Sequence, residues 1–262
     1  MKKEINKQLD ILEEKNGIKI IFAVETGSRA WRMESKDSDY DVRFVYYRPI
    51  NDYLKVNKLR DVIEYTIEDI DIVGFDIYKF TRLLLNSNPS MIEWLKSDIL
   101  YKRTFFNTKN KIIEPKEFML DFIERKYNPI ALYHHYRSMC KKNYLKYLKT
   151  RDKVTYKKYL YAMRGLVNAK YVIKNRNIPP ISFSQTLSVI DSIPIEVTNK
   201  LFEIITIKKQ GKEKDKQVNL PEFDNYIESF LKLDDDVESK RLMDYKEIQD
   251  MIYEIVHQKT DR

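Results

Sequence analysis

Strand-type patterning in this chain stops near residue 110, and after Pro115 only helical periods remain. Before that point, residues 18–24 form an apolar run suited to a buried strand. Residues 40–47 make a second strand closed by Pro49, and residues 61–67 and 69–75 supply two more, with Glu68 at their tight connection. A first amphipathic helix is expected over residues 4–15, where Ile5, Leu9 and Leu12 share a face, and Asn16-Gly17 is its stop signal. Residues 77–85 turn helical, and another short helix begins at Met91. Later helices are expected over about 116–126, 129–149, 153–175, 184–190, 221–233 and 236–258, with 208–217 as a solvated charged loop or a flexible helix end. This order predicts an α+β chain: an N-terminal mixed β-sheet flanked by helices over residues 1–112, then an all-α domain over 113–262.

The composition excludes several classes. Hydrophobic residues at 43% and aromatics at 13% are too many for wholesale disorder. Apolar runs such as Leu83-Leu84-Leu85 are far too short to span a bilayer, and the N-terminal residues lack the apolar stretch of a signal peptide. A single cysteine, Cys140, gives no disulfide framework and suits a reducing compartment, so a cytoplasmic protein with no membrane partner is expected. His134-His135 cannot both face one metal on a helix, where neighbours point about 100° apart. The net charge of +8 favours polyanions such as RNA, DNA or triphosphates, although an AT-rich genome produces the same lysine bias.

One constellation proposes a reaction. Gly27-Ser28 is followed, after ten residues, by Asp39-Tyr40-Asp41-Val42. Glycine lets backbone approach a phosphate, a helix start offers free N–H groups, and the Ser28 hydroxyl adds a hydrogen bond. Arg29 and Arg32 stand close enough in sequence to neutralise phosphate, and Arg43 is a further candidate nucleotide contact. In a strand, Asp39, Asp41 and Arg43 share one face, while Tyr40, Val42 and Phe44 share the other. Carboxylates spaced in this way bracket magnesium ions, one activating an attacking hydroxyl and one holding a triphosphate. A third carboxylate is needed from a neighbouring strand. Asp71, between Ile70 and Ile72, is one candidate; Asp76 is the other, and also reads as the N-cap of the helix that follows. In the helical half, Lys141, Lys142 and Arg164 are candidate triphosphate contacts. The tyrosines and cations interleaved there suit either a nucleic-acid strand or a solvated basic face over a core.

At these residues the chain resembles the DNA polymerase β-like nucleotidyltransferases, and within them the RNA repair pathway DNA polymerase β family. The resemblance rests on Glu25-Thr26-Gly27-Ser28-Arg29-Ala30-Trp31 and Asp37-Ser38-Asp39-Tyr40-Asp41-Val42-Arg43-Phe44. Further along it includes Asp71-Ile72-Val73-Gly74-Phe75-Asp76, Ser87-Asn88-Pro89 with Glu93-Trp94-Leu95, and Tyr159-Leu160-Tyr161-Ala162-Met163-Arg164. It implies a nucleotidyltransferase-type sheet domain with a helical extension, and magnesium-dependent transfer of a nucleoside monophosphate from a triphosphate to a hydroxyl. Two Mg2+ ions are implied, with Mn2+ as a substitute. Gly27 and Ser28 match the phosphate turn, and Asp39 and Asp41 the metal ligands. Asp71 or Asp76 stands for the third acid, and an RNA end is the expected acceptor. AMP transfer to a protein hydroxyl and non-catalytic RNA or nucleotide binding are the rival readings. One departure is visible: the family has Gly after Ala-Trp, and here stands Arg32.

Overall fold

The structure, a computed structural model, describes residues 1–57, 59–107, 112–151, 154–211, 218–233 and 244–257. It divides into two compact units, Met1–Ala30 with Asp39–Tyr127 and Leu242–Arg262, and Trp31–Ser38 with Asn128–Arg241.

In the first unit, helix α1 (Lys2–Asn16) buries Ile5, Leu9 and Leu12 and ends at Gly17, whose φ of 60° is the left-handed stop a glycine adopts without strain. Strand β1 (Lys19–Glu25) leads into the short helix α2 (Gly27–Ala30). Strand β2 (Tyr40–Tyr47), helix α3 (Ile50–Tyr53) and strands β3 (Val62–Ile67) and β4 (Ile70–Asp76) follow. Helices α4 (Ile77–Leu85) and α5 (Pro89–Lys96) and the edge strand β5 (Leu100–Arg103) complete the sheet region. The sheet order is β3-β4-β2-β1-β5, with β2 and β4 parallel and every other pair antiparallel. Alternation decides the two faces. Val42, Phe44 and Tyr46 of β2 and Ile70 and Ile72 of β4 form one core with the apolar stripe of α1. On the other face Phe22 meets Phe80 of α4 edge-on at 5.7 Å, and Trp94 of α5 packs on Phe80 and Phe75. Each such buried aromatic or aliphatic side chain contributes about 1.5–3 kcal/mol. A two-stranded ribbon, β6 (Phe106–Asn107) and β7 (Ile112–Ile113), precedes α6 (Pro115–Lys126), whose Arg125 pairs with Glu247 of α12 (Lys246–Val256) at 2.9 Å.

The second unit is helical among its described residues. Helix α7 (Pro129–Asn143) runs into a π-helical turn (Tyr144–Leu148), and α8 (Tyr156–Asn175), α9 (Phe183–Val189), α10 (Ile195–Lys209) and α11 (Pro221–Lys232) follow. Helix α8 is the central element, buried on most sides. Gly165 lets α7 approach closely: a Cβ there would lie 2.7 Å from the Cys140 amide nitrogen and 2.9 Å from the Tyr136 carbonyl oxygen. Tyr136, Tyr144 and Tyr159 are core residues, and the Tyr159 hydroxyl donates to Asp224, which also pairs with Arg151 at 2.8 Å. Half of the interleaved tyrosines therefore serve packing. Cys140 is fully buried, and burial pushes its thiol up to about 12.

The architecture is the expected one, a mixed sheet with flanking helices followed by helices. Five elements among the described residues were not predicted: α3, β6 and β7, of four residues or fewer, and also β5 and α10. Strand β5 was not predicted, because four residues on a sheet edge carry too little pattern. Helix α10 was not predicted either: seven of its fifteen residues are β-branched, which weakens the helical signal, and burial of Val197, Leu201, Ile204 and Ile205 holds it. Lys208 and Lys209, at the start of the segment expected as a loop or a helix end, form its last turn. Residues 212–217 of that loop, Lys153 and residues 236–243 of the last expected helix lie outside the described residues. Among the described residues, no helix is long and apolar enough to cross a membrane.

Candidate active site

Strand β1 delivers the chain from the sheet core to the Gly-Ser turn. After Val24 comes Glu25, wholly buried, and then Thr26, whose amide and hydroxyl both donate to the Asp41 carbonyl at 2.8 and 2.9 Å. The turn is thereby tied to β2 at the level of its aspartate. Gly27 has φ of 61°, and a Cβ at this position would sit 1.9 Å from Asp41 Oδ2. Backbone and carboxylate are thus in direct contact, an approach open only to glycine. Ser28 follows in α2 and is largely buried.

Across the parallel pair β2 and β4, Asp41 is the register partner of Asp71. Arg43, two residues along β2, ties both together: its Nη2 lies 3.3 Å from Asp41 Oδ1 and 2.8 Å from Asp71 Oδ2. Its Nη1 donates to the Val42 and Asp71 carbonyls at 2.9 and 3.0 Å. Thr66 Oγ1 donates to Asp71 Oδ1 at 3.3 Å. Asp39 is exposed just before β2; its carbonyl accepts Arg29 Nε at 3.2 Å, and the Arg29 guanidinium lies 3.8 Å over the Tyr40 ring. Asp41, Arg43 and Asp71 therefore form one ion-pair cluster beside the Gly27 turn, to which Arg29 is linked through the Asp39 backbone.

Other candidates stand elsewhere. Asp76 is the register partner of Tyr46, five residues along β4 from Asp71 and roughly 16 Å away at the strand rise. The odd spacing puts it on the opposite face. There it caps α4 through the Tyr78 amide at 2.9 Å and accepts the Tyr53 hydroxyl at 2.8 Å, and burial raises its pKa. Asp76 does not join the group around Asp41; it does what an N-cap does. In the helical unit, Arg164 faces inward, 3% exposed, with its guanidinium 3.7 Å over the Trp31 ring. Its neighbours predicted the burial, and a cation–π contact supplies its stabilisation. Lys141 and Lys142 are exposed in the last turn of α7. Arg32 is exposed and has φ of 59°, so the position where the resembled family has Gly does require a left-handed backbone.

Sequence reasoning placed Glu25 at the head of the Gly-Ser segment but gave it no role. Its Oε1 accepts the Asp41 amide at 2.8 Å, its Oε2 accepts the Tyr101 hydroxyl, and its carbonyl accepts Ser97 Oγ at 2.6 Å. Burial raises its pKa, and the hydrogen bonds from Tyr101 and the Asp41 amide pull the other way. It positions Asp41 through the backbone. The available signal was an ionisable residue closing an otherwise apolar strand, immediately before the turn.

The donor set suits a hard divalent cation. Asp41 and Asp71, in register, offer carboxylate oxygens, and magnesium is commonly held by one or two carboxylates together with substrate phosphates. The Arg43 guanidinium is a stand-in for such a cation: Asp41 and Asp71 already turn an oxygen each toward one positive charge. Among the described residues, no three His, Cys, Asp or Glu side chains converge on a single point.

A mixed sheet that sets paired aspartates against a Gly-Ser turn has the layout of a nucleotidyltransferase domain. The chain belongs to the RNA repair pathway DNA polymerase beta family, whose model matches residues 1–254, and it is accordingly a nucleotidyltransferase. It is 34% identical over 230 residues to the uncharacterized protein YcgL of Bacillus subtilis (strain 168), covering 87% of this chain and 85% of that one. A nucleotidyltransferase-like protein from Exiguobacterium sibiricum 255-15, of known crystal structure, aligns with 79% of this chain and 74% of its own at 9% identity. Its TM-score of 0.31 is too low to support any inference about this chain.

Proposed function

We propose that this protein transfers a nucleoside monophosphate from a nucleoside triphosphate to a hydroxyl at an RNA end, with magnesium as cofactor. The observation that carries the reading is the contact of the Gly27 backbone with the Asp41 carboxylate, with Asp71 in register beside it. The phosphate turn and the acidic strand would then act on one substrate. Gly27 and Ser28 would hold the β- and γ-phosphates, and Arg29 would add positive charge. Asp39, Asp41 and Asp71 would hold magnesium, which when bound withdraws charge from the phosphates and lowers the pKa of a bound hydroxyl. The acceptor oxygen attacks the α-phosphorus, the bond to the bridging oxygen breaks, and pyrophosphate leaves. Asp71 takes the hydroxyl proton. The family supports RNA as the acceptor, and the net charge of +8 fits a polyanion.

A screen of the four α-labelled triphosphates with magnesium against RNA ends, DNA ends and protein tests the reading. Label in RNA supports it. Label in protein alone would replace RNA with a protein hydroxyl as acceptor. Binding of RNA or nucleotide with no transfer under any condition would leave a binding protein.

A further inference from the structure

We infer that Arg43 is a tethered counter-cation that competes with metal for Asp41 and Asp71, so that metal and triphosphate load together and not metal first. This rests on the reading of those aspartates as metal ligands.

The competition follows from which atoms are used. Arg43 Nη2 engages Asp41 Oδ1 at 3.3 Å and Asp71 Oδ2 at 2.8 Å. The other two carboxylate oxygens have neighbours of their own: Asp71 Oδ1 accepts the Thr66 hydroxyl at 3.3 Å, and Asp41 Oδ2 lies against the Gly27 backbone. A magnesium ion bridging the two residues at about 2.0–2.1 Å competes with Arg43 for the oxygens that the guanidinium already joins. It would also place two positive charges against a guanidinium that is only 18% exposed and weakly screened. A free divalent ion must therefore compete with a tethered cation for carboxylates whose charge is already partly offset.

A metal–triphosphate complex changes the balance, because its phosphate oxygens offer Arg43 a new anionic partner. The planar fork of arginine suits phosphate as well as carboxylate. Nη1, fixed on the Val42 and Asp71 carbonyls, keeps the head beside the site while Nη2 exchanges partners. Metal and nucleotide are then thermodynamically coupled through one side chain, and the coupling is reciprocal.

The test is Mn2+ binding to the full-length protein, followed by the electron paramagnetic resonance of free Mn2+, with and without an α,β-methylene triphosphate. Wild type should bind Mn2+ about tenfold or more tightly with the analogue, within the usual range of such couplings. Arg43→Gln should bind Mn2+ alone about tenfold more tightly than wild type and lose most of the coupling. Arg43→Lys, which keeps the charge, should stay near wild type with Mn2+ alone. If wild type binds Mn2+ equally with and without the analogue, or if folded Arg43→Gln binds Mn2+ alone no better than wild type, the inference is overturned. That outcome in a protein that still transfers nucleotide removes only the role of Arg43. A wild type that neither transfers nucleotide nor binds Mn2+ with the analogue removes the reading beneath it.

Discussion

Gly27 meets two demands at once, a left-handed φ of 61° and room for Asp41 Oδ2 where a Cβ would stand. Gly27→Ala satisfies neither. It should destabilise the protein by roughly 1–3 kcal/mol in denaturant unfolding and displace the Asp41 carboxylate, so that transfer falls more than stability does. Glu25 gives a prediction about pH. Its folded pKa is raised by burial, so above the ordinary carboxyl value, about 4.3, the folded state holds more protons than the unfolded state. Its contribution to stability is complete at low pH and is lost as pH rises through the folded value; Asp76 acts with the same sign. Glu25→Gln keeps a donor and an acceptor in place and titrates at neither end. Its melting temperature should therefore fall less than that of wild type between about pH 4 and pH 7. A steeper fall in the variant would contradict the assignment. Of the residues at this site, Asp41 and Asp71 were legible from strand parity. The role of Glu25 was not, because hydrogen-bond partners 16 and 76 residues away leave no local pattern.

At the scale of elements, legibility tracked length and alternation. Strand β2 was read at its observed bounds, Tyr40–Tyr47, since its buried face is built from Val42, Phe44 and Tyr46 on strict alternation. Asp76 could be assigned either to the site or to the start of α4 from sequence. Register pairs Asp71 with Asp41 and Asp76 with Tyr46, so only Asp71 lies beside Asp41. Helix α10 was hidden by its β-branched residues, and β5 by its shortness. The α7–α8 contact makes an element-scale prediction. Gly165→Ala improves helix propensity by up to about 1 kcal/mol, yet its methyl would meet backbone atoms of α7 at 2.7 and 2.9 Å. Backbone cannot yield as a flexible side chain can, so a net loss of about 1–3 kcal/mol is expected in urea unfolding. A stabilised variant would show that α7 and α8 do not approach as described.

At the scale of the whole molecule, the change of period near residue 110 announced a sheet region followed by helices. Sequence order could not reveal that the α12 segment belongs with the sheet unit, or that Trp31–Ser38 belongs with the helical unit. Those memberships arise from packing between segments far apart in the chain. The phosphate turn, β2 and β4 all lie within the first unit, so the proposed chemistry depends on contacts internal to it. The most direct measurement is transfer of label from α-labelled triphosphate to RNA in magnesium, comparing wild type with Asp41→Asn. The account predicts labelled RNA with wild type and a loss of at least about 100-fold with Asp41→Asn, about 2.7 kcal/mol of barrier. Transfer by Asp41→Asn at the wild-type rate would contradict it.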